Sequence, residues 1–73
     1  MTHYPETPWN LTPAEQKALA AVTEAYGDFK EAARITGANY YTMHILVGRA
    51  RDRMDARNVT QAALMWDRFR RNS

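Results

Sequence analysis

Apolar residues recur along this chain at helical spacing, and no segment alternates in the way that a strand would. In the first stretch the series consists of Ala18, Leu19, Val22, Ala25 and Tyr26. In a later stretch it consists of Met43, Val47, Ala50 and Met54. Because residues three and four apart share one face of a helix, each series predicts an amphipathic helix with one buried side. The pattern therefore predicts an all-α fold with short connections.

Residues that favour the start or the end of a helix divide the chain into four such elements. Residues 1–10 contain two prolines and are expected to form an extended N-terminal tail. The first helix is predicted to begin at Thr12, with Pro13 at the first helical position and Glu15 completing a capping box. It is expected to end at Gly27, because glycine adopts the left-handed conformation that terminates many helices.

The other three helices begin at capping residues of the same kind. Asp28 precedes a short second helix that ends at Gly37. Asn39 precedes a third helix from Tyr40 to about Met54. Thr60 is the predicted cap of the fourth helix, whose apolar residues include Ala63, Leu64, Trp66 and Phe69.

Length and composition limit the classes of protein to which the chain can belong. Its 73 residues suit one domain with a thin core, and the lack of cysteine excludes disulfides and cysteine-bound metals. Two histidines are too few for a histidine metal cluster, so no metal or cofactor is expected. No segment approaches the roughly 20 apolar residues of a membrane span, and no secretion pattern is visible, so we expect a cytoplasmic protein. No nucleophile–base arrangement suggests an enzyme.

Basic residues are concentrated towards the C-terminus. Residues 1–27 carry one lysine against three glutamates, whereas residues 28–73 carry nine basic against five acidic residues. Most of these nine are arginines, whose guanidinium groups suit phosphate oxygens and the guanine edge. Charge alone leaves nucleic-acid binding and an ordinary solvated surface equally open.

Residues 29–47 have the spacing of a helix-turn-helix motif. Ala33 is small at the position where the two helices would approach most closely. Gly37 can adopt the positive φ that a sharp turn requires, and Met43 would fill the space between the helices. This spacing favours a fold in which the third helix enters the major groove of DNA.

From Leu11 to Leu64 the chain resembles the DNA-binding domain of the LuxR/GerE family. The matching residues are Leu11-Thr12-Pro13-x-Glu15 with Leu19, then Glu31-Ala32-Ala33, Gly37 and Thr42, and finally Arg57-Asn58-x-Thr60-Gln61-Ala62-Ala63. The resemblance implies a four-helix domain over residues 11–73 that dimerises through its fourth helix. The chain departs from the family pattern at Tyr40, Tyr41 and His44, where charged or amide side chains are usual, and at Asp55, where the family has glycine.

The third helix and its cap supply the candidate DNA contacts. These residues are Asn39, Tyr41, Thr42, His44, Ile45, Gly48, Arg49 and Arg53. Those nearest the N-terminal half, Tyr41, His44, Ile45 and Gly48, are expected to face base edges. The others are expected to contact phosphate, through the Thr42 hydroxyl, the backbone N–H groups at the Asn39 cap and the two guanidinium groups.

The fourth helix is too apolar for an isolated surface helix, which leaves two interpretations. Either Trp66 completes the core of the monomer, or two copies of the helix pack across a two-fold axis. The small alanines favour the second interpretation, in which the interface residues are Ala62, Ala63, Met65, Trp66 and Phe69.

Together these features predict a sequence-specific transcriptional regulator that binds double-stranded DNA as a homodimer on an inverted repeat. An alternative is a small interaction module that pairs with a larger LuxR-type regulator or with RNA polymerase. A third interpretation is a piece similar to the DNA-binding region 4 of a sigma factor.

Overall fold

The computed structural model describes residues 8–72, which form four helices and no strand. The helices are α1 (Pro13–Glu24), α2 (Phe29–Thr36), α3 (Tyr40–Arg53) and α4 (Val59–Arg71). The all-α prediction is therefore confirmed for these residues, while most of the predicted N-terminal tail, residues 1–7, lies outside them. Each helix in residues 8–72 is too short or too polar to traverse a lipid bilayer.

The starts of the first three helices agree with the sequence predictions. The backbone N–H of Glu15 donates to Thr12 Oγ1 at 3.2 Å, and the N–H of Thr12 donates to Glu15 Oε1 at 3.0 Å, which completes the capping box. Pro13 occupies the first helical position. Asp28 and Asn39 accept backbone N–H groups at the starts of α2 and α3. Each of these caps satisfies N–H groups that have no partner inside the helix.

Two predicted helix boundaries are wrong. The cap of α4 is Asn58 rather than Thr60, because Asn58 Oδ1 accepts the N–H of Gln61 at 2.8 Å. Helix α1 ends at Glu24, three residues before Gly27, since Tyr26 already has a positive φ of 56°. The left-handed turn between α1 and α2 is therefore shared by a tyrosine and a glycine.

The core lies between α1 and the other three helices, all of which pack against it. Its largest fully buried side chains are Leu19, Val22, Met43 and Val47. The predicted buried series of α3 is confirmed, since Met43, Val47, Ala50 and Met54 are all buried. Burial of these side chains fixes which face of α3 points outwards.

Candidate nucleic-acid interface

A three-residue connection at residues 37–39 joins α2 to α3. Gly37 has the predicted left-handed conformation, with φ 73° and ψ 11°, and its N–H donates to the carbonyl of Ala33. The Thr36 hydroxyl accepts the N–H of Ala38 at 3.3 Å, which stabilises the same turn. A residue with a Cβ adopts this φ only at a cost, so Gly37 allows the abrupt change of direction into α3.

The side of α3 opposite the core is open to solvent. Tyr41 is 71% exposed and Ile45 37% exposed, and the side chains of Thr42, His44 and Arg49 are exposed as well. Gly48 is half-buried, and a Cβ added there would meet no atom within 4 Å. The predicted outward face is therefore present. At Gly48 no side chain of residues 8–72 covers its backbone.

The cap at the start of α3 differs from the predicted phosphate site. Asn39 Oδ1 accepts the backbone N–H of Tyr41 at 2.7 Å and that of Thr42 at 3.4 Å. These two N–H groups are already satisfied, so they are not available to a phosphate oxygen without replacing Asn39. The role of Asn39 seen in the structure is that of a helix cap.

An aromatic cluster surrounds His44, although sequence reasoning assigned neither of its neighbours to the site. The imidazole of His44 stacks on the ring of Phe29, with centroids 3.9 Å apart and an interplanar angle of 3°. Tyr40 meets the imidazole with a centroid distance of 4.6 Å and an angle of 71°. The Tyr40 contact was accessible from the sequence, because residues four apart adjoin on a helix. The Phe29 contact joins two helices and depends on how they pack.

The arginines of α3 differ in how far their charge is compensated. Arg53 Nε lies 3.1 Å from Glu15 Oε1 and 3.2 Å from Oε2, and the Glu15 side chain is only 3% exposed. Arg51 pairs with Asp52 at 3.1 Å. Arg49 has no ion-pair partner within residues 8–72. Arg53 thus also contacts α1, and its phosphate contact stays a prediction, whereas Arg49 is the cation of α3 that remains uncompensated.

On α2, Arg34 also has a carboxylate partner. Its guanidinium hydrogen-bonds to Glu31, and this bond holds the pKa of the Glu31 carboxyl below its ordinary value. The same contact raises the pKa of Arg34. Because the neighbouring carboxylate offsets the charge of Arg34, this residue adds little net positive charge to the surface of α2.

The structure corrects the predicted interface residues of α4. Ala62 is fully buried and Trp66 is 5% exposed, both within the core of this chain. Phe69 packs against Trp66 and against Trp9, whose centroid lies 5.4 Å away. Trp66 therefore completes the core of the monomer, which was the other interpretation of the sequence, and neither Ala62 nor Trp66 is available to a partner. Ala63 and Met65 remain half-buried.

A different residue of α4 carries the exposed apolar surface. Leu64 is 65% exposed, and it lines a groove of about 740 Å³ that also includes Val59 and Ala63. Tyr26, at the end of the opposite wall, is 98% exposed. The sequence placed Leu64 with Trp66 in one apolar group, because periodicity alone does not determine how a helix is rotated.

Within residues 8–72 no group of three or more histidine, cysteine, aspartate or glutamate side chains is arranged to hold a metal ion. Comparison of the chain with models of known protein families, with curated proteins and with solved structures finds no match.

Proposed function

We propose that this chain is a sequence-specific regulator of transcription with a LuxR/GerE-type helix-turn-helix domain over residues 11–73. In this proposal α3 enters the major groove of double-stranded DNA. The observation that carries it is the open outward side of α3, which directly follows the Gly37 turn. No other helix of residues 8–72 covers Tyr41 or Arg49.

The dimensions of α3 support this placement. Its 14 residues correspond to a rod of about 21 Å, and a helix with side chains, about 10–12 Å wide, fits the major groove. Tyr41, Ile45 and Gly48 follow one another along the outward line of the helix at spacings of four and three residues. The missing side chain at Gly48 would let the backbone come close to the base edges.

Phosphate contacts are assigned to one flank of α3. Thr42 and Arg49 are seven residues apart and lie on the same side of the helix. The Thr42 hydroxyl can donate to a phosphate oxygen, and the uncompensated guanidinium of Arg49 can form a charge-assisted pair. Asp52 faces outwards in the C-terminal half, where its pair with Arg51 offsets the unfavourable charge.

We assign dimerisation to the groove between α1 and α4, with a second copy of this chain as the occupant. The apolar contact would come from Leu64 and Tyr26. The groove has Glu24 on the α1 wall and Arg71, which pairs with Asp67 of its own helix at 3.0 Å, on the α4 wall, so both signs of charge border the apolar contact. A stable interface hides about 800 Å² per partner, a modest share of the 5123 Å² surface. Such a dimer would bind two half-sites about one helical turn apart.

Titration of a fluorescent duplex pool with random sequence, at several salt concentrations, tests DNA binding. We expect log affinity to fall linearly with log salt, because binding releases counterions from phosphate. Arg49→Ala should weaken binding to every duplex and reduce the slope by about 1.

Lys17→Ala is the matched control, since it removes one exposed cation of α1 that forms no ion pair with the residues from 8 to 72. It should leave both the affinity and the slope close to those of the unmodified protein. Affinity that does not depend on salt, or equal effects of the two substitutions, would contradict the proposed docking of α3.

A second candidate function is that of an interaction module that pairs with a larger LuxR-type regulator. The exposed Leu64 and Tyr26 favour it, because they form an apolar surface suited to another protein. This function predicts that Leu64→Glu abolishes a complex with the regulator, while Arg49→Ala has no effect on it. The DNA titration separates the two candidates, since an interaction module needs no affinity for duplex DNA.

A further inference from the structure

The stack of His44 on Phe29 restricts a side chain that would otherwise be mobile. His44 belongs to the exposed surface of α3, yet Phe29 covers one ring face and Tyr40 contacts the ring from another direction. Such contacts favour one rotamer out of several. The ring plane of His44 is therefore set before any ligand arrives.

We propose that Phe29 is a positioning residue that holds the imidazole of His44 ready to donate a hydrogen bond to a guanine in the major groove. This inference rests on the proposed function, because it assigns a base to the outward face of α3. Phe29 itself does not touch DNA in this arrangement. It acts across the turn from α2, through the ring of His44.

Guanine is the base that such a donor matches best, because thymine presents a single acceptor, O4, beside its methyl group. A neutral imidazole has one N–H donor, and guanine presents two neighbouring acceptors, N7 and O6, in the major groove. Adenine presents one acceptor beside a donating amine, and cytosine presents a donating amine. Because the ring of His44 is already ordered, less side-chain entropy is lost when the hydrogen bond forms.

A contact made only for packing would have different requirements. The Phe29 stack needs a flat ring at position 44 but no ring nitrogen. His44→Phe therefore keeps the stack and removes the donor, whereas Phe29→Leu keeps an apolar side chain and removes the stack. Phe29→Tyr retains an aromatic face and is the conservative variant that should restore the behaviour of the unmodified protein.

The test uses a duplex selected by the protein from a randomised pool, and a copy in which each conserved guanine is replaced in turn by 7-deazaguanine. This base lacks the N7 acceptor and still pairs with cytosine. At one guanine in each half-site we expect the unmodified protein and Phe29→Tyr to lose about 5- to 10-fold in affinity on replacement. His44→Phe and Phe29→Leu should bind the two duplexes equally.

Affinity for an unselected duplex supplies the control for folding. Phe29 also lines the groove assigned to dimerisation, so the variants are compared at a concentration that gives all of them the same oligomeric state. This affinity should then stay within about 2-fold, because phosphate contacts do not depend on His44. If Phe29→Leu remains as sensitive to 7-deazaguanine as the unmodified protein, or if the selected duplexes share no guanine, the inference is overturned and the DNA-binding proposal stands. If the unmodified protein binds no duplex at all, both are overturned.

Discussion

The two exposed surfaces of this molecule are built in different ways. On α3, His44 is stacked on Phe29 and Arg53 is bound to Glu15, so these two side chains are held by other helices, while Tyr41 stays 71% exposed. On the α1–α4 side, Leu64 and Tyr26 are large, apolar and largely uncovered. Ordered side chains suit recognition of a rigid duplex, while uncovered apolar surface suits a contact with another protein chain. The difference agrees with the proposal that α3 contacts DNA and that the groove between α1 and α4 contacts another protein chain.

The largest expected effect contrasts two neighbours on α4. Trp66→Ala should lower the free energy of unfolding by about 3–5 kcal/mol, because it empties a buried aromatic site in the core. Leu64→Ala should change the stability of the monomer by less than about 0.5 kcal/mol, because the side chain is mostly exposed.

Urea unfolding followed by circular dichroism, at a concentration low enough to keep the protein monomeric, measures both changes. Similar losses for the two variants would show that α4 does not turn Trp66 into the core and Leu64 towards solvent.

A smaller effect is expected for Leu64→Glu, which tests the apolar surface as a homodimer interface. A charge in that groove would lack a partner once it is covered, so we expect self-association to weaken by about 100-fold. Sedimentation measures this change directly. Leu64→Met is the matched control, since it keeps the apolar contact and should dimerise like the unmodified protein. A protein that stays monomeric at high concentration before any substitution would exclude the homodimer.

The smallest effect concerns the contact between α1 and α3, and it is measured as a change in stability. Glu15→Ala removes both the capping acceptor for Thr12 and the partner of Arg53, and it should lower stability by about 1–2 kcal/mol. The ion-pair part is modest, because the Arg53 side chain is 45% exposed and is screened by water.

Asp52→Ala breaks the exposed pair with Arg51 and serves as the control, with an expected change within about 0.5 kcal/mol. Thermal unfolding at one fixed pH and salt concentration compares the stabilities of Glu15→Ala and Asp52→Ala. If the two variants lose the same stability, Glu15 does not join α1 to α3 in the way the structure indicates.

Local interactions account for the parts of the fold that the sequence predicted well. The caps at Thr12, Asp28 and Asn39 depend on residues two or three positions away. Such short-range patterns are visible in the sequence itself. The predicted cap of α4, Thr60, was wrong, because Asn58 and Thr60 are both residue types that cap helices well. Asn58 is the cap in the structure, where the side chain of Gln61 also accepts the N–H of Arg57. These two hydrogen bonds of Gln61 both hold the start of α4 at Asn58 and not at Thr60.

The features of the candidate site that were missed are contacts between distant parts of the chain. Arg53 and Glu15 are 38 positions apart, so nothing near Arg53 in the sequence indicates that its charge is already paired. Phe29 and His44 lie on different helices, and their stack depends on the packing of α2 against α3. The outward line of α3 was predictable because its buried series is regular, whereas the partners of its side chains were not.

The contact of Trp9 with Phe69 has a consequence for spectroscopy. Both tryptophans of the chain, Trp9 and Trp66, lie against Phe69. Indole emission therefore comes entirely from the junction between the N-terminal segment and α4, and α3 contains no indole. A change in tryptophan fluorescence on addition of a duplex, once corrected for absorption by DNA, would accordingly report a change at this junction and not a direct contact between an indole of α3 and DNA.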